Sequence, residues 1–328
     1  MEQAKQFFER FSGGQQISFT ELPQSGSSRR NFIAENSDGK FVVTANENLR
    51  ENESFLYFSE VFSGLNLNTP NIYRVSEDRK MYIQEFLGNH TLSELISKEG
   101  LSTNIVDLIR KTLDHLFEMQ QKTQGKIDYS RTFEYEKYDE FPVQHDLYYF
   151  KFFFVDQLEI PYHKSALLRE FRNITQRITA LKPQGLMIRD FQSRNIMIDD
   201  QDEIHFIDYQ SAMHGPLIYD VISLLYQAKA GFPEPFREEM LAYYVSKFDS
   251  EDQENLMKSI PYIRLIRNLQ VLGAYGFRGL IQKKKHFIDS IPAAIKSLQQ
   301  LAENRQELED FPELKMIINS LDAKQMKF

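Results

Sequence analysis

The sequence predicts an α+β protein in which a small antiparallel sheet comes first and a larger helical part follows. Within residues 17–45 and 72–86, short apolar runs alternate with turn residues such as Gly, Ser and Asp, which is typical of β-hairpins. From about residue 89 onward, apolar residues recur at spacings of three and four, which is typical of amphipathic helices. The chain of 328 residues is also long enough for about two domains.

In the first part we expect strands near residues 17–22, 31–35 and 40–45, a helix over 51–62, and a hairpin of strands 72–75 and 81–86. A short amphipathic helix over residues 2–12 is predicted to precede them. These segments define a predicted N-terminal nucleotide-binding lobe of residues 1–88. The helical C-terminal lobe, with the catalytic loop and the acceptor site, is then residues 89–328, after a hinge near Gly88.

In the second part, helices are predicted over residues 102–120 and 164–182 and again from about 217 to the end. One interruption, residues 186–210, contains two short apolar runs joined by an acidic turn and predicts a hairpin.

Two local patterns refine this prediction. Thr91 and Glu94 have the spacing of a capping box and predict the start of a helix. Gly273, Gly276 and Gly279 have helical spacing, which predicts a helix that packs closely against a neighbour.

Composition excludes several classes of protein. The chain has 39 basic and 47 acidic residues, and a net charge of −8 argues against a general nucleic-acid binder. The absence of cysteine rules out disulfides, thiolate nucleophiles and cysteine-ligated zinc. The N-terminus lacks the apolar stretch of a signal peptide, and the aromatic run 147–155 is too short to span a bilayer. We therefore expect a cytoplasmic protein with a small-molecule partner, neither nucleic acid nor membrane, and the oligomeric state stays open.

Three polar residues in the interruption have a spacing that suits phosphoryl transfer. Asp190 and Asn195 lie five residues apart, and Asp208 follows thirteen residues later. Phosphoryl transfer needs a carboxylate that orients the acceptor hydroxyl and oxygen ligands that hold magnesium against the phosphates. The three residues can supply these groups. Their spacing on a predicted loop and hairpin matches the catalytic loop and the metal-binding Asp of protein-kinase-like enzymes.

A resemblance to a known family rests on two segments. Residues 187–197 are Met-Ile-Arg-Asp-Phe-Gln-Ser-Arg-Asn-Ile-Met, and residues 206–225 run from Phe-Ile-Asp-Tyr-Gln through Gly-Pro to Ser-Leu-Leu. They resemble the aminoglycoside phosphotransferase/choline kinase superfamily. Within it they are similar to bacterial anomeric sugar kinases, which phosphorylate N-acetylmuramate or N-acetylglucosamine at C1 in cell-wall recycling. The resemblance implies a two-lobed protein-kinase-like fold with a small antiparallel-sheet N-lobe and a larger helical C-lobe.

The resemblance also implies roles for individual residues. Asp190 would be the catalytic base, and Asn195 and Asp208 would be the ligands of Mg²⁺. Backbone groups from Glu85 to Leu87 would meet the adenine of ATP. The turn that would cover the ATP phosphates supplies Gly26, Ser27, Ser28, Arg29 and Arg30. An ordinary hairpin turn is the alternative for that segment.

The sequence departs from the superfamily pattern at three positions. Ile188 stands where the superfamily usually has His, and Thr44 stands where it has a phosphate-contacting Lys. Arg29 or Arg30 could replace that positive charge. Ser211 stands where the sugar kinases often have an acid, which bears on the identity of the acceptor.

Four further residues are candidates for contact with the acceptor. Arg189 and Arg194 flank the predicted catalytic residues, and each could either contact the acceptor or pair with a carboxylate. His145 and Asp146 begin the aromatic segment 141–154 and could reach the acceptor. That segment could line a sugar pocket or form a core helix.

We therefore predict an ATP- and Mg²⁺-dependent phosphotransferase that acts on a hydroxyl of a small sugar, with C1 of N-acetylmuramate or N-acetylglucosamine as the leading acceptor. A kinase for another acceptor, such as an aminoglycoside, choline or a different sugar, is the first alternative. The second is a nucleotide-binding regulator with little catalysis, which the missing Lys and the Ile188 substitution would favour.

Overall fold

The computed structural model describes residues 1–14, 18–23, 28–227, 230–304 and 306–322. The chain forms two compact units. The first combines Met1–Glu136 with Ile188–Met213, and the second combines Lys137–Met187 with the chain from His214 onward. The segment with the predicted chemistry, Ile188–Met213, thus packs with the N-terminal unit. The lobe boundary near residue 88 was predicted from the change from strands to helices along the sequence, and it stays a prediction.

The strands are β1 (Ser18–Glu21), β2 (Arg30–Asn36), β3 (Gly39–Ala45), β4 (Ile72–Val75), β5 (Met81–Glu85), β6 (His90–Thr91), β7 (Gln184–Met187), β8 (Ile196–Ile198), β9 (Ile204–Phe206) and β10 (Met213–Pro216). The helices are α1 (Glu2–Phe11), α2 (Leu49–Gly64), α3 (Leu92–Glu99), α4 (Thr103–Lys122), α5 (Glu140–Phe150), α6 (Lys164–Thr179), α7 (Ile218–Leu225), α8 (Glu234–Val245), α9 (Ser250–Tyr275), α10 (Lys285–Ile288), α11 (Ile291–Asn304) and α12 (Pro312–Ser320). A π-helical turn continues α5 over Lys151–Val155, and another continues α9 over Gly276–Ile281. No helix in the described part of the chain is both long and apolar enough to cross a membrane.

Each strand and helix predicted in the first 88 residues is confirmed, with bounds that shift by one or two residues. Residue 17, where the first strand was expected to begin, lies outside the described residues. The hairpin predicted within the interruption is also confirmed as β8 and β9, which pair antiparallel. The strand β6 pairs with β8 on the other side, so these three short strands form a second sheet in the first unit.

The main sheet has the strand order β1-β2-β3-β5-β4, and all its neighbouring strands are antiparallel. Its two faces differ because side chains alternate along each strand. Phe32, Val43 and Ile83 are fully buried and pack against the apolar face of α1. The adjacent residues Val42 and Gln84 point the other way and line a cavity. The helix α1 therefore covers one face of the sheet and leaves the other face for a ligand.

Helices α2, α3 and α4 of the first unit all begin at side-chain caps, and Ser102 is the cap of α4. The Asn48 side chain accepts a hydrogen bond from the Glu51 backbone at the start of α2, at 3.3 Å. At α3, Thr91 Oγ1 accepts from Glu94 N at 3.2 Å, and the Glu94 carboxylate accepts from Thr91 N at 2.7 Å. This reciprocal pair confirms the predicted capping box.

In the second unit, glycines allow α9 to approach α5. A Cβ atom at Gly276 would lie 2.0 Å from the carbonyl oxygen of Phe153, and one at Gly273 would lie 2.8 Å from the backbone of α5. Further along, a Cβ atom at Gly279 would lie 3.2 Å from Ile288. Non-hydrogen atoms that are not bonded do not approach to 2.0 Å, so the predicted close packing is confirmed and Gly276 has no substitute.

Candidate active site

A cavity of about 500 Å³ lies within the first unit, between the main sheet and the segment from Arg194 to Asp208. Its apolar wall includes Ile33, Val42, Phe86, Met197 and Ile207. Polar side chains line its other end, among them Arg29, Asn195 and Asp208. A cleft lined about equally by apolar and polar groups suits a flat ring with a charged extension.

The structure brings the three predicted residues of phosphoryl transfer together through one amide. Asn195 Nδ2 donates to the backbone oxygen of Asp190 at 2.9 Å and to Asp208 Oδ2 at 3.2 Å. A backbone hydrogen bond of 3.0 Å from Ile207 N to Asn195 O joins the hairpin to the loop. Asn195 is thus buried at the junction of the loop and the hairpin, and Asp190 is partly exposed beside it.

The residues after Asp208 are anchored on helix α2. The Tyr209 ring is fully buried, lies 4.9 Å from the Phe55 ring, and its hydroxyl is 2.7 Å from Ser59 Oγ. Ser54 Oγ donates to the backbone oxygen of Gln210 at 2.7 Å. These contacts fix the backbone on the C-terminal side of Asp208 and so fix its carboxylate.

Two residues of the candidate site have left-handed backbone conformations. Arg189 has φ 69° and Asp208 has φ 64°. Such conformations are uncommon for residues other than glycine, and they persist where surrounding contacts hold them, often at functional sites.

Arg29 lies at the polar end of the cavity, where the side chains of Asp208, Glu51, Gln210 and Tyr82 surround it. It pairs with Asp208, its Nε lies 3.2 Å from Glu51 Oε1, and its Nη1 donates to Gln210 Oε1 at 3.3 Å. Burial by itself lowers the pKa of the Arg29 guanidinium, but its interactions with Asp208, Tyr82 and Glu51 outweigh this and raise that pKa above its ordinary value. Arg29 is therefore a permanent buried cation.

The other predicted phosphate-turn residues are placed differently. Gly26 and Ser27 lie outside the described residues. Ser28 is described but is not among the residues that line the cavity. Arg30 makes two 2.8 Å hydrogen bonds to the exposed carboxylate of Glu21. Of the two adjacent arginines, the structure thus brings only Arg29, which precedes β2, to the cavity, while Arg30 at the start of β2 is directed to Glu21 on β1.

Thr44, at the position where the resemblance predicts a lysine, lies in the wall of the cavity. It is buried, donates to Asn31 Oδ1 at 2.9 Å, and accepts from Gln84 Nε2 at 3.4 Å. This part of the wall is therefore polar but uncharged.

Glu85 and Leu87, whose backbone groups were predicted to meet adenine, both line the cavity. The Glu85 carboxylate accepts hydrogen bonds from Asn71 N at 3.1 Å and Asn71 Nδ2 at 2.7 Å, which holds the hinge against the loop before β4. Gly88 follows with φ 116°, and a Cβ atom there would lie 2.7 Å from the backbone oxygen of Ile198. Only glycine fits this turn.

Two residues of the site were not found from the sequence. Glu51 is 8% exposed, binds Arg29, and receives a 2.9 Å hydrogen bond from Asn46 Nδ2. Gln210 bridges Arg29 and Asp208. Glu51 is one of several acidic residues in α2, and only its burial distinguishes it from Glu53, which pairs with a surface arginine.

The acceptor candidates are divided between the two units. Arg194 lines the main cavity and also a second, open cavity of about 630 Å³, together with Lys98 and three hydroxyl side chains. His145 is exposed on α5 of the second unit. Asp146 accepts a 2.8 Å hydrogen bond from Tyr138 and is 2% exposed. Its side chain is thus buried within that unit, and its contact with an acceptor stays a prediction.

The aromatic segment 141–154 forms α5 and most of the following π-helical turn, which confirms a helix. Val143, Leu147 and Phe150 are fully buried, whereas Phe141 and Phe152 are 67% and 53% exposed. The helix therefore contributes to the core on one face and presents aromatic rings to solvent on another.

The oxygen donors at the polar end fit a magnesium ion bound with a nucleotide. Asp208 supplies a carboxylate and Asn195 an amide oxygen, which are ligand types that hard cations prefer. Among the described residues, no cluster of three or more His, Asp or Glu side chains could hold a metal alone. Magnesium commonly combines one or two carboxylates with phosphate oxygens and water, so this donor set suits it.

Comparison with known proteins agrees with this geometry. A family model described as the phosphotransferase enzyme family matches residues 20–254. A curated N-acetylmuramate/N-acetylglucosamine kinase from Pseudomonas aeruginosa is 22% identical over 88% of this chain and 85% of its own length. A kinase with the same name from Neisseria meningitidis serogroup B is 23% identical over 85% of this chain and 84% of its own length.

Solved structures show the same fold. A choline kinase from Streptococcus pneumoniae aligns with TM-score 0.64 and 15% identity, covering 92% of this chain and all of its own. An aminoglycoside phosphotransferase with ADP bound aligns with TM-score 0.61 and 15% identity, covering 91% and 98%. These likenesses confirm the predicted protein-kinase-like α+β fold with its small antiparallel sheet and larger helical part.

Proposed function

We propose that this chain, which belongs to the phosphotransferase enzyme family, transfers the γ-phosphoryl group of ATP to a hydroxyl of a small sugar. The leading acceptor is the C1 hydroxyl of N-acetylmuramate or N-acetylglucosamine, the sugars named for its relatives from two bacteria. The single observation that carries the proposal is the Asn195 amide, which joins the Asp190 loop to Asp208 beside a nucleotide-sized cavity.

The site suggests where ATP would bind. The adenine ring would lie against the apolar wall next to Glu85 and Leu87, and the triphosphate would extend toward Arg29 and Asp208. Asn195 and Asp208 would hold magnesium, which neutralises charge that develops on the phosphate oxygens.

Asp190 would orient the acceptor hydroxyl and take its proton. A bond forms between the acceptor oxygen and the γ-phosphorus, and the bond from that phosphorus to the bridging oxygen of ADP breaks. The proton of the hydroxyl goes to Asp190, and ADP leaves with the electron pair of the broken bond. Arg29 would place a positive charge near the phosphates.

Mass spectrometry of products tests the proposal. The protein is incubated with ATP, Mg²⁺ and a panel that contains amino sugars, neutral sugars, an aminoglycoside and choline. We expect a phosphorylated amino sugar, and digestion that distinguishes C1 from C6 phosphate gives the position. Phosphorylation of a different acceptor would support kinase activity but contradict an amino sugar as the acceptor.

The variant Asp190→Ala tests the catalytic role. Turnover is expected to fall by about 10²–10³ or more, with ADP affinity unchanged, because the carboxylate acts on the acceptor and not on the nucleotide. Near wild-type turnover in this variant would refute the role. If ADP binds and no acceptor yields product, the result favours a nucleotide-binding regulator over an enzyme.

A further inference from the structure

Arg29 is buried between two carboxylates, and this arrangement determines how a metal ion could reach the site. Its guanidinium pairs with Asp208 on one side and Glu51 on the other, and its side chain is only 12% exposed. One positive charge thus faces two negative charges where little water reaches. The trio has a net negative charge, which favours the arrival of a further cation.

Both oxygens of Asp208 already have partners. Oδ1 accepts from Arg29 and, at 3.1 Å, from Gln210 Nε2, while Oδ2 accepts from Asn195 Nδ2 at 3.2 Å. A metal ion and a guanidinium need the same lone pairs of a carboxylate. A divalent cation that binds Asp208 through Oδ1, or through both oxygens, must therefore compete with Arg29.

The two partners of Arg29 differ in their access to a ligand. Asp208 lines the cavity, whereas Glu51 is 8% exposed and is not among the cavity residues. Glu51 is also held by Asn46 Nδ2 at 2.9 Å. A ligand that enters the cavity meets Asp208 first, so Asp208 is the partner that Arg29 can give up, and Glu51 is the partner that it keeps.

We propose that Arg29 and a divalent cation exchange on Asp208. Before the nucleotide binds, the guanidinium occupies the carboxylate. When the nucleotide enters, Arg29 turns to the phosphate oxygens while Glu51 retains it, and Asp208 becomes available to the cation. Arg29 then supplies the charge that a lysine would supply at Thr44, and Glu51 is its positioning residue. The proposal rests on the proposed function, because it takes ATP as the ligand of the cavity.

Titration with Mn²⁺ tests the exchange without any turnover. Mn²⁺ replaces Mg²⁺ as a paramagnetic probe, and the resonance of the free ion reports binding to nucleotide-free protein. In Arg29→Met the two carboxylates lose their guanidinium, and we expect Mn²⁺ to bind about ten- to a hundredfold more tightly than to wild type. The added Asp208→Asn change should abolish this gain.

The adjacent arginine provides a matched control. Arg30→Met removes the same side chain from a surface pair with Glu21, so Mn²⁺ binding is expected to stay at the wild-type level. Metal-free ADP should bind about tenfold more weakly to Arg29→Met and unchanged to Arg30→Met. Glu51→Gln should weaken ADP binding without exposing Asp208 to Mn²⁺.

Several results would overturn the exchange. Equal Mn²⁺ affinity in wild type and Arg29→Met would show that Arg29 does not compete, and so would tight Mn²⁺ binding to nucleotide-free wild type. If Arg29→Met does not fold, Arg29→Lys is titrated instead. A lysine ammonium lacks the planar fork with which a guanidinium holds a carboxylate, so it should hold Asp208 less firmly and Mn²⁺ should again bind more tightly than to wild type. Equal affinity overturns the proposal. Failure of ADP to bind any variant would count against the proposed function, while the nucleotide-free titrations still decide the exchange.

Discussion

Gly88 is the position where a single methyl group should disturb both stability and nucleotide binding. Its φ of 116° is a conformation that other residues rarely adopt, and forcing alanine into it costs about 1–3 kcal/mol. The added Cβ would also lie 2.7 Å from the oxygen of Ile198 and 3.1 Å from Cα of Asp199. Both contacts are with backbone, which cannot rotate away as a side chain can, so overpacking adds about 1–3 kcal/mol. We expect Gly88→Ala to lose about 2–6 kcal/mol of unfolding free energy.

Urea denaturation followed by circular dichroism measures this loss, and calorimetric titration measures ADP affinity. ADP should bind more weakly to Gly88→Ala because the displaced hinge moves Leu87, which lines the cavity. Gly64→Ala is the matched control, since Gly64 ends α2 without a positive φ and with no atom within 4 Å of an added Cβ. That change should be neutral or slightly stabilising. Gly88→Ala within about 0.5 kcal/mol of wild type would refute the account of the hinge.

Three further changes test other parts of the molecule. Arg194→Gln should raise the KM for N-acetylmuramate, which carries a carboxylate, about tenfold and leave the KM for neutral N-acetylglucosamine unchanged. Steady-state kinetics with both sugars measure this, and equal changes in the two KM values would contradict a contact between Arg194 and the acceptor. Gly276→Ala should cost about 3 kcal/mol or more in urea denaturation because the Cβ meets the Phe153 oxygen at 2.0 Å, and a loss below about 1 kcal/mol would contradict this packing. Burial lowers the pKa of His115 below 6.5, so the folded state takes up its proton less readily than the unfolded chain and stability falls as pH drops below 6.5. The Tm of His115→Gln should therefore fall less than that of wild type between pH 7 and pH 5, and parallel curves would exclude His115 as a source of the acid sensitivity.

Sequence reasoning located the loop and the hairpin of the site because their contacts are local. Asn195 reaches Asp190 over five residues and Asp208 over thirteen, and the spacing alone is characteristic of this geometry. The same holds for the strands of the main sheet and for the capping box at Thr91. In each of these cases, the period of side chains or a short-range hydrogen bond determines the structure.

The sequence could not distinguish between residues that are chemically alike and close together. Arg29 and Arg30 are adjacent arginines, yet one contacts Asp208 across 179 positions and the other contacts Glu21 across nine. Likewise, only packing decides that Glu51 is buried beside Arg29 while a neighbouring glutamate of the same helix faces solvent.

The sequence by itself thus determined the fold class, the family resemblance and the three residues expected to act on phosphate and acceptor. Only the tertiary structure decided that Arg29, and not Arg30, contacts Asp208 and that Glu51 holds Arg29. It also decided that the Asp146 side chain is buried. The reason is physical: an ion pair or a burial depends on segments that are far apart in the chain, and local periodicity carries no information about which of them meet.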